Sequence, residues 1–270
     1  MGNNKVVTLK EQEQFWSEAA SSNEGNSLIR PTARDPYLQQ AVEDSIERWL
    51  QSNARLIDIG CGDGHSTLRF SKHVRHSLGV DFIHKFVTKA QNAAKDFQNI
   101  MFEQASVLDL SDIKKRHGVF DIATTIRCLI NLCTWENQKA AINQIADIIK
   151  PGGLLLVSEG WSDGMDGLNL RRNRAGLPPI QVVDYNLLMK RQLFEAAVNE
   201  HFEIVDYISL GFYIFMSRVF QPAFVQPEQP SHIHDINRIA ASLHNSHVVG
   251  SEFQDCDYAG IYVLRKRCMA

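Results

Sequence analysis

With 270 residues, 44% of them hydrophobic and 22% charged, the chain has the composition of an ordinary globular protein and enough apolar side chains for a sizeable α/β core. Its 28 Lys and Arg against 31 Asp and Glu give a formal charge of −3. It therefore lacks the basic excess of proteins that live on phosphate backbones, and nucleic acid is not an expected partner.

Cys61, Cys128, Cys133, Cys256 and Cys268 form no C-x-x-C pair and no metal-ligand spacing, which predicts reduced thiols. No apolar run approaches the ~18 residues that mark a membrane span. Positions 1–10 lack the apolar core of a secretory leader. A cytoplasmic protein without membrane association is the expectation.

Residues 1–36 are polar and read as an N-terminal lid segment, with a short helix near 11–20 and breakers at Pro31 and Pro36. Arg30 and Arg34 precede the next element as loop charges. In 37–51, Leu38, Ala41, Val42, Ile46, Trp49 and Leu50 follow helical spacing, with Trp49 read as core.

Residues 55–59 are a short, mostly apolar run of the buried-strand kind. Gly60, Gly62 and Gly64 follow at alternate positions, and Ser66 and Thr67 open a helical segment. Strand, glycine turn and helix in that order bring bare backbone and a helix N-terminus against a ligand. The dinucleotide spacing G-x-G-x-x-G fails at His65, and no lysine follows to make a P-loop. The D-x-G-x-G-x-G of 58–64 resembles motif I of the class I S-adenosylmethionine-dependent methyltransferases.

Asp81 ends the next predicted strand, 77–80, at the sheet edge where ligands sit in doubly wound folds. A carboxylate there can accept hydrogen bonds from both hydroxyls of a ribose, or else cap the following helix. Phe82 beside it is placed to pack on an adenine edge. After a helix over 84–95 and a strand over 100–104, the resemblance implies an acidic residue taking the adenine amino group. Ser106 stands there instead, leaving Val107 its backbone N–H, while Asp109 reads as a cap. A fourth strand over 120–127 ends in Arg127. A helix over 136–149 breaks at K-P-G-G and turns into a strand over 154–158. The resemblance covers roughly residues 40–160, and it implies cofactor contacts from Asp58, Gly60, Cys61, Gly62, Asp81, Phe82, Ser106, Val107 and Arg127.

Beyond Glu159 a glycine- and Asp-rich stretch carries Arg171, Arg172 and Arg174, which either hold an anionic acceptor or face solvent. A helix over 186–200 leads to strands over 202–209 and 260–265, the reversed hairpin that the family implies. Residues 211–259 lie between these strands as an insertion, with a helix over 235–244. The fold expected is one Rossmann-like α/β domain, 37–270, with a mostly parallel seven-stranded sheet and helices on both faces. The 1–36 segment and the 211–259 cap are expected to cover the carboxyl edge.

If the cofactor is S-adenosylmethionine, the resemblance implies methyl transfer to an O or N of a small-molecule acceptor. The enzyme then mainly has to align the acceptor. Glu159, just past the fifth strand, is the first candidate for binding the acceptor or acting as base, followed by Asp184 and Tyr185. Tyr213 and Arg218 either line the acceptor pocket or belong to the core. No metal is expected, since His232 and His234 fall on different sides of a helix. An RNA or protein methyltransferase and a non-catalytic cofactor-binding scaffold are the alternatives, and a homodimer is compatible with all of them.

Overall fold

The computed structural model describes residues 7–21, 33–246 and 253–268. Arg30 and Pro31 lie outside these. Among the described residues, seven strands form one sheet in the order β3-β2-β1-β4-β5-β7-β6. The strands are β1 (Arg55–Ile59), β2 (His76–Asp81), β3 (Ile100–Gln104), β4 (Phe120–Ile126), β5 (Ile149–Ser158), β6 (Phe202–Ile208) and β7 (Ile261–Lys266). β1 to β5 pair in parallel, and β7 runs antiparallel between β5 and β6. The expected architecture and its reversed hairpin are present.

Alternation along the strands sets the two layers. Ile57, Ile59, Leu155 and Val157 face one core, shared with α5 (Ser111–His117), α6 (Trp135–Ile148) and α8 (Arg191–Val198). Leu56, Ile122, Leu154 and Leu156 face the other, shared with α2 (Pro36–Glu47), α3 (His65–Phe70) and α7 (Ser162–Arg174). At the β3 end, α4 (His84–Ala93) packs Val87 and Ala90 on Ile100 and Phe102.

Local chemistry starts the first helices. Thr8 and Glu11 form a capping box at α1 (Leu9–Ala19): the Glu11 N–H donates to Thr8 Oγ1 at 3.2 Å and the Thr8 N–H to Glu11 Oε2 at 2.8 Å. Asp35 caps α2 by accepting from the Leu38 N–H at 3.0 Å, with Pro36 in the first turn.

The glycine- and Asp-rich stretch for which sequence predicts no helix is α7. A Cβ on Gly164 would stand 2.0 Å from the Asp257 carbonyl oxygen, and one on Gly167 1.8 Å from that of Asp255. These glycines let a helix lie directly on another backbone, so tertiary contact overrides their weak propensity.

The 211–259 insertion also departs from expectation. α9 (Gly211–Phe215), the π-helical Met216–Phe220, α10 (Gln221–Phe224) and α11 (Asp235–Asn245) pack on the α2 and α7 face of the sheet. Tyr213, Ile214, Val219, Ala240 and Ala241 are buried there. The aromatic run at 212–220 is thus largely core. No helix among the described residues is long and apolar enough to cross a membrane.

Candidate active site

A cavity of about 230 Å³ opens at the carboxyl ends of the central strands. Gly60 follows β1, Asp81 and Phe82 lie at the end of β2, and Ala105 to Leu108 follow β3. The loop after β4 contributes Cys128, Asn131 and Leu132, and α1 closes the cavity with Leu9, Lys10, Gln12 and Glu13.

Asp81 ties this floor together. Its Oδ2 accepts from the Gly62 N–H and its Oδ1 from the Ile83 N–H, both at 2.9 Å. Burial pushes its carboxyl pKa up, while those backbone N–H groups pull it down. The glycine turn is bound from the other side too. Gly60 sits at φ +75°, and a Cβ there would stand 2.6 Å from Cys128 Sγ. Bare backbone is needed at Gly60 by the protein's own packing before any ligand arrives.

Other expected cofactor residues act at one remove. Asp58 is buried below the cavity, accepting from Thr67 Oγ1 at 2.6 Å and Thr124 Oγ1 at 2.8 Å, and burial pushes its pKa to about 6. It binds α3 and β4 to β1. The Cys61 thiol packs with Val87 and Phe102 toward α4. Gly62 contributes its N–H to Asp81 and does not line the cavity. Arg127 does not line it either: its guanidinium donates to Gln39 Oε1 on α2 at 2.7 Å. Ser106 does line it, although its hydroxyl accepts from the Leu108 N–H at 3.2 Å.

Glu159 is not at an opening. It is 1% exposed. Its Oε1 accepts from the Cys128 and Leu129 N–H groups at 2.9 and 3.0 Å, and its Oε2 from the Ile130 N–H at 3.2 Å. Burial pushes its pKa to about 7 in spite of those three donors. A strand-end carboxylate expected to meet the acceptor instead receives backbone folded over from the neighbouring strand.

Asp184 is exposed, and Tyr185 stacks on Phe15 of α1 with ring centroids 4.1 Å apart. Neither lines the cavity. Tyr213 donates to Asp35 Oδ1 at 2.7 Å, and Arg218 to Asp35 Oδ2 at 2.5 Å, a buried cluster at the start of α2. Arg171 pairs with Asp255, and Arg172 donates to the carbonyls of Pro178 and Arg218, so both serve structure. No group of three or more His, Cys, Asp or Glu among the described residues could hold a metal ion.

Sequence reasoning expected the 1–36 segment over this edge but named none of its wall residues, and it missed the wall from the loop after β4. The T-x-x-E spacing of Thr8 and Glu11 was a usable signal for where α1 begins. Nothing local marks Asn131 as a wall residue.

Residues 56–153 match a family model described as a methyltransferase domain. Over that span the chain is similar to methyltransferases. The ubiquinone biosynthesis O-methyltransferase of Coxiella burnetii is 28% identical over 155 residues, which are 57% of this chain and 60% of that protein. The chain spans 60% or less of the length of such curated relatives. The N-methyltransferase NodS from Bradyrhizobium japonicum, solved with S-adenosylhomocysteine, superposes with a TM-score of 0.57 at 13% identity. That match covers 94% of this chain and 98% of NodS. The 4+2 cyclase SpnF superposes with a TM-score of 0.57 at 21% identity over 98% of each chain. The fold is that of the class I methyltransferases. The matched span holds the cavity walls from β1 to the loop after β4, whereas α1 and Glu159 lie outside it.

Proposed function

We propose that the protein binds S-adenosylmethionine in this cavity and transfers its methyl group to an O or N atom of a small-molecule acceptor. The observation that carries the reading is the convergence of Gly60, Asp81, Phe82, Ser106 and Val107 on one cavity at the carboxyl edge. The residues fit an adenosine-bearing ligand. Asp81 keeps acceptor capacity for the ribose hydroxyls, since a carboxylate offers about four lone-pair sites and two backbone N–H groups take only part of them. Phe82, exposed at the mouth, and Val107 offer apolar surface for the base.

The cofactor when bound supplies an electrophilic methyl group and its leaving group together. The protein's share is to exclude water and align the acceptor, which is where α1 stands. A small acceptor agrees with the cavity's modest volume of about 230 Å³ and with the Coxiella relative's role in ubiquinone biosynthesis. The basic residues Arg265 and Lys266 end β7, and because β7 is antiparallel they stand at the sheet edge opposite the cavity. Likeness to the cyclase SpnF keeps a non-methylating use of the fold in play.

Calorimetry with S-adenosylhomocysteine, followed by incubation with methyl-labelled cofactor and fractionated small-molecule extract, tests both steps. Micromolar binding and label transfer to a small-molecule fraction are expected. Absence of binding overturns the cofactor assignment, and binding without label transfer to any fraction overturns the enzymatic one.

A further inference from the structure

The loop between β4 and α6 is strained at both ends. Arg127 and Cys133 take left-handed backbone at φ 53° and 55°, and no other described non-glycine residue does so. A side chain disfavours that region, so such residues persist only where the surroundings over-determine them. Cys128, Asn131 and Leu132, which line the cavity, lie between these two positions. The bonds from three consecutive backbone N–H groups to Glu159 supply the restraint, and they set the direction in which the next residues leave.

That order passes outward to α1. Asn131 Nδ2 donates to the Arg127 carbonyl at 2.7 Å, which leaves Oδ1 to accept the Trp16 indole N–H at 3.2 Å. The Ile130 carbonyl accepts from the Leu187 N–H at 2.7 Å. This seats the neighbouring Tyr185 against Phe15, and its carbonyl takes the Gln12 amide. Two of the contacts that hold α1 over the cavity therefore start from residues 130 and 131.

We propose that Glu159 is a positioning residue of the cofactor cavity: it fixes residues 128–130 so that Asn131 and the 185–187 segment seat α1, and it touches neither cofactor nor acceptor. What the cavity holds rests on the function proposed above; how α1 is held does not.

The test uses Glu159→Gln, Asn131→Ala and the double variant. Glutamine keeps the volume but turns one acceptor into a donor facing a backbone N–H. Two readouts are taken: trypsin cutting at the exposed Lys10 of α1 in the ligand-free protein, and the Kd for S-adenosylhomocysteine. Each single variant should speed cutting and raise Kd by about tenfold, the scale of one lost buried hydrogen bond. The double variant should be no worse than the worse single, because both changes break one chain of contacts.

Unchanged Lys10 cutting in a folded Glu159→Gln protein overturns the proposal. Fully additive effects overturn it as well, since a carboxylate that merely stabilises the fold would lower the melting temperature without coupling to Asn131. If Glu159→Gln does not fold, Asn131→Ala decides alone, and unchanged cutting there overturns the proposed route. Wild-type protein that binds no S-adenosylhomocysteine would sink the cofactor reading and leave Lys10 cutting to judge the positioning role.

Discussion

Replacing Asp81 by asparagine separates two jobs that the structure gives this carboxylate. It binds the Gly62 and Ile83 N–H groups, both at 2.9 Å, and under the proposed function it also accepts the ribose hydroxyls. Asparagine keeps the size but offers one acceptor oxygen, so its NH₂ must face one of the two backbone donors. Losing one charge-assisted bond costs ~1.5–3 kcal/mol and weakening the other adds to it. The raised pKa shows that burial already penalises the anion, and the neutral amide recovers part of that. A net stability loss of about 1–2 kcal/mol is expected from these opposing contributions. Cofactor affinity should fall further, by about 10- to 100-fold, because the ribose loses a charged acceptor. Chemical denaturation gives the first number, and calorimetry with S-adenosylhomocysteine gives the second. An Asp81→Asn protein that loses stability yet binds within twofold of wild type would refute the ribose role and leave Asp81 as the strut of the glycine turn.

Three further outcomes are expected. Glu159 has a folded pKa of about 7 against an ordinary 4.5, so between these values the native state holds a proton that the unfolded chain has released. Its contribution is fully present below about pH 4.5 and lost as pH rises through 7, by roughly 3 kcal/mol. Denaturation at pH 5 and pH 8 should show this slope in wild type and not in Glu159→Gln, and parallel pH profiles would contradict it. Gly60→Ala should destabilise the fold by about 2–3 kcal/mol through positive φ and overlap with Cys128. Cys128→Ala should not rescue it, because a Cβ at position 60 would also meet the Cys128 Cβ at 2.7 Å; full rescue measured by denaturation would show the overlap to be with sulfur alone. Trypsin cutting at Lys10 should slow when S-adenosylhomocysteine fills the cavity beneath α1, and equal rates with and without ligand would count against a lid.

The strands, the glycine turn and the place of Asp81 were readable along the chain because each is a local matter. A strand buried on both faces writes itself as a mostly apolar run, as at 55–59, and a turn at φ +75° favours glycine. The resemblance at 58–64 then named the ligand class. Tertiary structure alone decided what the remaining polar groups do. Glu159 stands at a strand end where sequence predicts an acceptor contact, yet its partners are backbone N–H groups of residues 128–130. Backbone donors look alike in every sequence, so nothing in the letters shows which carboxylate they will meet. Gly164 and Gly167 read as helix-weakening until the 255–257 backbone lies on them. Tyr213 and Arg218 read as pocket wall or core until Asp35, at the start of α2, takes hydrogen bonds from both. Period and backbone conformation are properties of one segment, whereas burial partners and cavity walls belong to pairs of segments, and only folding makes those pairs.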